Sequence, residues 1–275
     1  TFGVDADNRG SGAVTVDTTA GTVTAAATTG IRISNGAAAT DLGLRAASVT
    51  AAPAAFAIEA ANLGTGSTSI AVAEGGVAAG GLGAIKVSHA GSGSFTIANA
   101  GELHRLSGDP SALVIDAKSV GAAGGVSLTS TGRITGTISL TDKDDSFVND
   151  GTWNMADGTS DFGGGNDRFE NRSNLTFVAA GDGARAETTT LASLESVRNT
   201  GTVTLADGGT GDTLVTSGDF DGTGGTVRLD MMADGSAADL LHIMGNVTGG
   251  PTRLAINYLG ASGGIDESDL TCVLL

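Results

Sequence analysis

A repeat of 27 residues fills the first third of the chain and restricts the folds that the chain can adopt. The segment AIEAANLGTGSTSIAV, residues 57–72, is followed 27 positions later by AIKVSHAGSGSFTIAN, residues 84–99. A fixed interval of this length is typical of stacked supersecondary units, each of which buries its apolar side against the next. The interval relates three sets of residues: Val4, Ile31, Ile58 and Ile85; Gly3, Gly30, Ala57 and Ala84; Asn8, Asn35, Asn62 and His89.

The pattern within one repeat predicts two short β-strands joined by a polar turn. Apolar residues alternate at Ile85 and Val87 and again at Phe95 and Ile97, with the Gly-rich segment SHAGSGS between them. Alternation with a period of two places such side chains on one face of a strand. Each repeat therefore contributes at least two strands.

The segment APAAFAIEAANLG, residues 52–64, is open to two interpretations. A helix fits because Pro53 lies near its start and Gly64 at its end. The repeat, however, aligns Ile58 with Ile31 and Ile85, which lie in clear strand patterns. We therefore predict a strand.

A second motif, apolar-x-Asn-x-Gly/Ser-x-apolar, marks predicted corners between strands. Asn and Gly are favoured at such corners because both tolerate a positive φ. Successive copies are 31, 19, 22 and 28 residues apart, so insertions bulge out at loops while the strands keep their register. The copies are IANAGEL (97–103), LTSTGRI (128–134, with Ser for Asn), FVNDGTW (147–153), FENRSNL (169–175) and VRNTGTV (197–203).

These repeats predict an all-β fold, a parallel β-helix in which one repeat makes one coil. At roughly 25 residues per coil, the chain has room for roughly ten to twelve coils stacked at ~4.8 Å, with inward ladders of aliphatic side chains. A β-propeller requires blades of about 40 residues, and a β-sandwich does not repeat at a short fixed interval. Both alternatives are less favoured.

The composition supports a folded, acidic protein. Glycine is abundant, with 45 residues, and only 4% of residues are aromatic, yet Val, Ile and Leu lie in short alternating runs that argue against disorder. The formal net charge of −16 repels nucleic acid and anionic membranes. Cys272 is the single cysteine, so the chain forms no internal disulfide.

The end of the sequence carries a long, specific pattern, D-x-L-x-x-x-G-x-φ-x-G-x-G-G-x-φ-x-L followed by S-x-x-D-x-L-x-φ-x-G-x-φ-x-G, where φ is apolar. It resembles the end of the passenger domain of Gram-negative autotransporters of the pertactin/AIDA type. The first half falls on Asp212, Leu214, Gly218, Phe220, Gly222, Gly224, Gly225, Val227 and Leu229, and the second half on Ser236, Asp239, Leu241, Ile243, Gly245, Val247 and Gly249.

The resemblance implies a right-handed parallel β-helix that is exported by type V secretion through the periplasm and outer membrane to the cell surface. It implies passenger repeats over residues 1–204 and a C-terminal, autochaperone-like stem over residues 205–275. It also implies a C-terminal outer-membrane barrel as an intramolecular partner, which lies outside this sequence. The expected function is non-enzymatic, as an adhesin or aggregation factor that contacts host or bacterial surface molecules or further copies of itself.

The candidate catalytic motifs are weak, so we predict no catalytic and no cofactor-binding residues. GASGG, residues 260–264, matches a nucleophile elbow with Ser262 as nucleophile, but the strand-to-helix turn that the elbow needs is not predicted there. His89, His104 and His242 show no partnered spacing. His89 replaces the turn Asn of its sister repeats, and we predict that it is exposed.

The acidic segment at residues 141–171 is the best candidate for chemistry. Oxygen ligands of this kind suit calcium, but GGGNDRF departs from the calcium β-roll pattern, so we predict solvated loop acids and no structural metal. The alternative is a carbohydrate-active β-helix enzyme that uses paired carboxylates, although one Trp and one Tyr offer few rings for stacking on sugars. The acids are Asp142, Asp144, Asp145, Asp161 and Asp167.

The stem carries longer apolar side chains than the Ala-rich start of the chain. Burying Leu or Ile contributes ~1.5–3 kcal/mol, far more than burying Ala. We therefore predict that the C-terminal third is the folding nucleus and the last region to unfold, with LTCVLL (270–275) covering its final coil. The residues concerned are Leu240, Leu241, Ile243, Met244, Leu254, Ile256 and Tyr258.

Overall fold

The chain folds as a parallel β-helix, as the repeats predicted. The structure, a computed structural model, describes residues 2–118, 124–177 and 185–260. Within these ranges the regular secondary structure consists of β-strands alone. Ten strands form one sheet and eighteen form a second, with successive strands paired in parallel. Ten strands in the first sheet correspond to about nine complete turns of the described chain.

The strands are short, mostly of three to seven residues. In chain order they are β1 (Val4–Asn8), β2 (Val14–Thr24), β3 (Ile31–Asn35), β4 (Leu42–Thr50), β5 (Phe56–Asn62), β6 (Thr68–Val72), β7 (Val77–Gly80), β8 (Gly83–His89), β9 (Phe95–Asn99), β10 (Glu102–Arg105), β11 (Leu113–Asp116), β12 (Val126–Ser130), β13 (Arg133–Thr135), β14 (Thr137–Ser139), β15 (Ser146–Asn149), β16 (Thr152–Met155), β17 (Thr159–Asp161), β18 (Arg168–Asn171), β19 (Asn174–Phe177), β20 (Thr188–Ala192), β21 (Ser196–Asn199), β22 (Thr202–Thr204), β23 (Thr213–Thr216), β24 (Asp219–Asp221), β25 (Thr226–Met232), β26 (Leu240–Ile243), β27 (Val247–Thr248) and β28 (Arg253–Leu259).

The strands stack in three columns around one core. The first column is the ten-stranded sheet, β1-β3-β5-β8-β11-β14-β17-β20-β23-β26. The long strands β2 and β4 begin both other columns, because β4 pairs with β6 through its first half and with β7 through its second. From there the second column runs β6-β9-β12-β15-β18-β21-β24-β27, and the third runs β7-β10-β13-β16-β19-β22-β25-β28.

The repeat interval is the spacing between coils. Ile31, Ile58 and Ile85 are in register in the first column and fully buried, and β5 is a strand where the sequence also fitted a helix. In the middle coils the inward ladders become aromatic, because Phe147 and Phe169 occupy adjacent rungs of the second column. The expected purely aliphatic core is therefore corrected for these coils.

The predicted Asn-x-Gly/Ser corners are present, but the positive φ that was expected to explain their glycines is not observed. Gly101, Gly132 and Gly151 are not among the residues with positive φ. They are glycines because the corners stack closely. A Cβ on Gly132 would lie 2.0 Å from the carbonyl oxygen of Gly101, and one on Gly151 would lie 2.0 Å from that of Gly132. Side chains there would separate the coils.

The C-terminal coil is less buried than the sequence suggested. Leu240, Met244 and Val247 are 53%, 66% and 47% exposed, whereas Trp153 and Phe169 in the middle coils are fully buried. The expectation that the stem buries more apolar surface is therefore wrong for the described residues, because Leu240 is in register with Thr213 on the outward side of the first column, where a long side chain stays exposed. The LTCVLL segment lies outside the described residues.

We expect amide hydrogen exchange to be slowest in the middle coils, from β9 to β21, rather than in β26 to β28. Protection should follow burial because each coil is held by its neighbours. Exchange of the intact chain, followed by mass spectrometry of peptides from each coil, measures this order. Slowest exchange in β26 to β28 would contradict it and would support the predicted stem nucleus.

Candidate functional site

The outer face of the first column carries a ladder of alternating charge, here called the charge ladder. Consecutive strands place Asp5, Arg32, Glu59, Lys86 and Asp116 in direct register. The signs alternate from each coil to the next. These side chains point away from the core because the flanking isoleucines point into it.

Ion pairs fix both ends of the charge ladder. Arg32 Nε lies 2.9 Å from Asp5 Oδ1, and Lys86 Nζ lies 3.6 Å from Asp116 Oδ2. Each cation also lies against an aromatic ring, because the Arg32 guanidinium is 4.7 Å from the Phe2 ring centre and Lys86 Nζ is 5.6 Å from that of Phe56. Pairs of this kind restrain long side chains on the surface.

A shallow groove runs beside the charge ladder. Small residues follow it two positions further along β3, β5 and β8, at Ser34, Ala61 and Ser88, which are also in register, whereas Asp7 holds this position on β1. The groove has a volume of about 280 Å³ and is lined by both rows. Small side chains let another molecule approach the charged row closely. The sequence interval of 27 residues already aligned these positions, but the sequence reading did not use their charges.

The five acids of the segment at residues 141–171 do not form one cluster. Asp142 and Asp144 are exposed, while Asp145 and Asp167 are 2% and 0% exposed in a corner between coils. Asp161 lies apart, on the outer face of the first column, 3.7 Å from Lys118 Nζ. The prediction of solvated loop acids is therefore wrong for Asp145 and Asp167.

The corner pair of acids is bound to the backbone. Asp145 Oδ1 accepts hydrogen bonds from the Val126 amide at 2.6 Å and the Thr141 hydroxyl at 2.7 Å, and its Oδ2 accepts one from the Thr141 amide at 2.7 Å. The Asp145 amide in turn donates to Asp167 Oδ1 at 2.6 Å. Burial raises the pKa of Asp145 and raises that of Asp167 to about 7.

A second stack of acids, which the sequence reading missed, occupies another corner near the C-terminal end. The Glu187 amide donates to Asp212 Oδ1 at 2.9 Å, and the Asp212 amide donates to Asp239 Oδ1 at 3.2 Å. Burial raises the pKa of Asp212 and raises that of Asp239 to about 6. The acids at 212 and 239 were assigned to the stem motif, and their place at a coil corner gives the motif a structural role.

The three histidines lie in different environments. His89 is buried, with Nδ1 2.8 Å from Thr68 Oγ1 and its ring 5.2 Å from that of Phe95, so its predicted exposure is wrong. Burial lowers the pKa of His89. His104 is half-buried beside the Arg105 carbonyl, and His242 is exposed. Ser262 lies outside the described residues.

Within residues 2–118, 124–177 and 185–260, no group of three or more His, Cys, Asp or Glu side chains is placed to hold a metal ion. In the same ranges, the structure has no helix that is long and apolar enough to cross a membrane.

Comparison with known proteins gives no relative. No protein-family model, no curated protein and no solved structure matches this chain.

Proposed function

We propose that this chain is a non-enzymatic passenger displayed on the bacterial surface, which acts as an aggregation factor by binding a second copy of itself through the charge ladder. The observation that carries the proposal is the alternation of charge over Asp5, Arg32, Glu59 and Lys86 in register. Export by type V secretion, a stem that promotes folding, and attachment to an outer-membrane barrel rest on the resemblance of residues 212–257 to autotransporter passengers.

The charge ladder is complementary to itself when two copies meet face to face in antiparallel orientation. A two-fold axis between β3 and β5 brings Arg32 opposite Glu59 of the second copy and Asp5 opposite Lys86 of the second copy. Symmetry repeats both contacts, so four pairs of opposite charge form across the interface. The small side chains of Ser34, Ala61 and Ser88, which line the groove beside the charge ladder, leave room for this approach.

The ladder is also the favourable place for two highly acidic chains to meet. A net charge of −16 makes two copies repel each other at long range. The four residues Asp5, Arg32, Glu59 and Lys86 sum to zero charge, and their arrangement supplies local attraction. Association by this face therefore avoids the repulsion that other acidic surfaces bring.

The corner acids support this function over the alternative of polysaccharide cleavage. A glycosidase needs two carboxyl groups that reach the glycosidic bond from a substrate groove. Asp145 is buried and uses both oxygens for hydrogen bonds to Thr141 and to Val126 of the preceding coil, and Asp167 is fully buried. Both are used as structural groups.

Charge-reversed variants test the proposal. At the four positions that pair across the interface, those of Asp5, Arg32, Glu59 and Lys86, the variant Arg32→Glu/Lys86→Glu carries only negative charge and the variant Asp5→Lys/Glu59→Lys carries only positive charge. Each variant alone should self-associate at least about tenfold more weakly than the wild type, because four attractive pairs become repulsive. An equimolar mixture of the two should associate again. Sedimentation velocity measures association, and circular dichroism checks that each variant is folded.

Matched variants control for net charge. Arg133→Glu/Lys143→Glu and Glu102→Lys/Asp142→Lys change the charge by the same amounts at exposed positions outside the ladder. We expect both to associate as the wild type does once long-range repulsion is screened by salt. A monomeric wild type, or a mixture that fails to recover association, would overturn the proposal.

A further inference from the structure

Three corner acids, of which Asp145 and Asp167 are buried and Glu195 is exposed, form a stack that connects successive coils. Asp145, Asp167 and Glu195 each immediately precede a strand of the second column, namely β15, β18 and β21. The amide of Asp145 donates to Asp167 Oδ1 at 2.6 Å, and the amide of Asp167 donates to Glu195 Oε2 at 2.7 Å. The carboxyl groups of Asp167 and Glu195 therefore each accept a bond from the backbone of the preceding acid.

Asp167 differs from its neighbour Asp145 in one respect. Both oxygens of Asp145 accept hydrogen bonds, from Val126 and Thr141, which favours its carboxylate form. Asp167 is fully buried, and its Oδ2 has no hydrogen-bond partner among the described residues. A proton on Oδ2 would remove a buried charge and cost no existing hydrogen bond.

The charged groups around Asp167 add to this asymmetry. Asp144 and Asp145 face it from the corner before β15, and Glu195 faces it from the corner before β21. The adjacent cation, Arg168, directs its guanidinium to Glu170 Oε2 at 3.3 Å. Like charges at short range disfavour ionisation of the most buried member of a group.

We propose that the corner formed by Asp145, Asp167 and Glu195 is a proton-binding site that tightens the middle coils of the solenoid in mildly acidic surroundings. The proton resides on Asp167 Oδ2. In the protonated corner, Asp167 still accepts the bond from the Asp145 amide, and the repulsion from Asp145 and Glu195 is relieved. In the ionised corner, two buried carboxylates in adjacent coils repel each other.

The acid stack near the C-terminal end shows why Asp167 is the proton site. Asp239 lies in a similar corner, but its Oδ1 accepts the Asp212 amide and its Oδ2 accepts the Asp230 amide at 2.7 Å. A proton on Asp239 would weaken one of these bonds. Of Asp145, Asp167 and Asp239, only Asp167 combines full burial with a carboxyl oxygen that has no hydrogen-bond partner in the described part of the chain.

The direction of the pH effect follows from the pKa of Asp167, which burial raises from 3.8 to about 7. The folded protein then binds more protons than the unfolded chain between these values, so its stability rises as the pH falls through 7 and is highest below 4 for this group alone. Within that window, one proton changes the unfolding equilibrium by up to about tenfold per pH unit.

The titration of Asp167 itself is the most direct test. Carbon NMR of the carboxyl group in the intact protein should give a midpoint near pH 7. Glu195→Gln keeps an oxygen acceptor for the Asp167 amide and removes a like charge, so the midpoint should fall. Glu102→Gln removes an exposed acid of the third column and should leave the midpoint unchanged. A wild-type midpoint near 4 would overturn the proposal.

Thermal unfolding provides the second readout. The wild-type Tm should decrease from about pH 5.5 to pH 8, and Asp167→Asn, which is neutral at every pH, should flatten that decrease. The comparison is between slopes, so a constant cost of the Asn side chain does not affect it. An Asp167→Asn protein whose Tm falls as steeply as that of the wild type would contradict the proton site, whatever its absolute stability.

Discussion

Trp153→Ala is expected to destabilise the middle coils by about 3–5 kcal/mol, which is the cost of removing a large aromatic side chain from a close-packed core. Trp153 is fully buried, with its ring 4.9 Å from Phe147 and 5.2 Å from Phe169, both in edge-on contact. Its Nε1 donates to the Gly136 carbonyl at 2.9 Å. The substitution leaves a cavity and an unpaired carbonyl together.

The position of Trp153 makes this loss larger than at other sites. The three rings lie at the centre of the solenoid, where each coil depends on the coils above and below. Urea unfolding followed by circular dichroism measures the loss. Trp153→Phe keeps a ring and should lose less than half as much, and Leu63→Ala, at a side chain that is 58% exposed, should lose under about 0.5 kcal/mol. A Trp153→Ala loss below about 1 kcal/mol would contradict the aromatic cluster as the main support of these coils.

The repeat interval predicted the fold because it states directly which residues lie in register. Ile31, Ile58 and Ile85 are 27 positions apart in sequence and adjacent in the first column. In a parallel β-helix, residues that are one repeat apart in sequence lie next to each other in adjacent coils. The same conversion aligned Arg32 with Glu59, so the charge ladder was also present in the sequence.

The burial of the corners was not predictable from local pattern. Asp167 follows the Gly-rich segment GGGN, and His89 precedes the Gly-rich segment AGSGS. Both segments have the composition of exposed turns. Both residues are buried, and each contacts a residue of the preceding coil, Asp145 beside Asp167 and Thr68 beside His89, that is distant in sequence. Leu240 shows the converse, since it is apolar and yet exposed, in register with Thr213 on the outward side of the first column.

Asn171→Asp is expected to lose at least about 3 kcal/mol, although it changes one NH₂ group to oxygen. Asn171 is fully buried, and it stacks in register with Asn149 and Asn199. Its Oδ1 accepts from Asn149 Nδ2 at 2.9 Å, while its Nδ2 donates to Asn199 Oδ1 at 2.8 Å and to the Thr202 carbonyl at 3.1 Å. An Asp carboxylate donates no hydrogen bond and adds a negative charge at this buried position, so Asn199 Oδ1 would face a carboxylate oxygen.

Three comparisons separate this explanation from a general sensitivity of the corner. Asn171→Ser should cost about 1 kcal/mol, because Ser130 occupies the same column and accepts from Asn99 Nδ2 at 3.1 Å. Asn174→Asp, on an exposed position three residues away, should change stability by under about 0.5 kcal/mol. The deficit of Asn171→Asp should shrink as the pH falls, because a protonated carboxyl regains a donor. Urea unfolding at several pH values measures all three, and equal losses for Asn171→Ser and Asn171→Asp would show that the charge is not the cause.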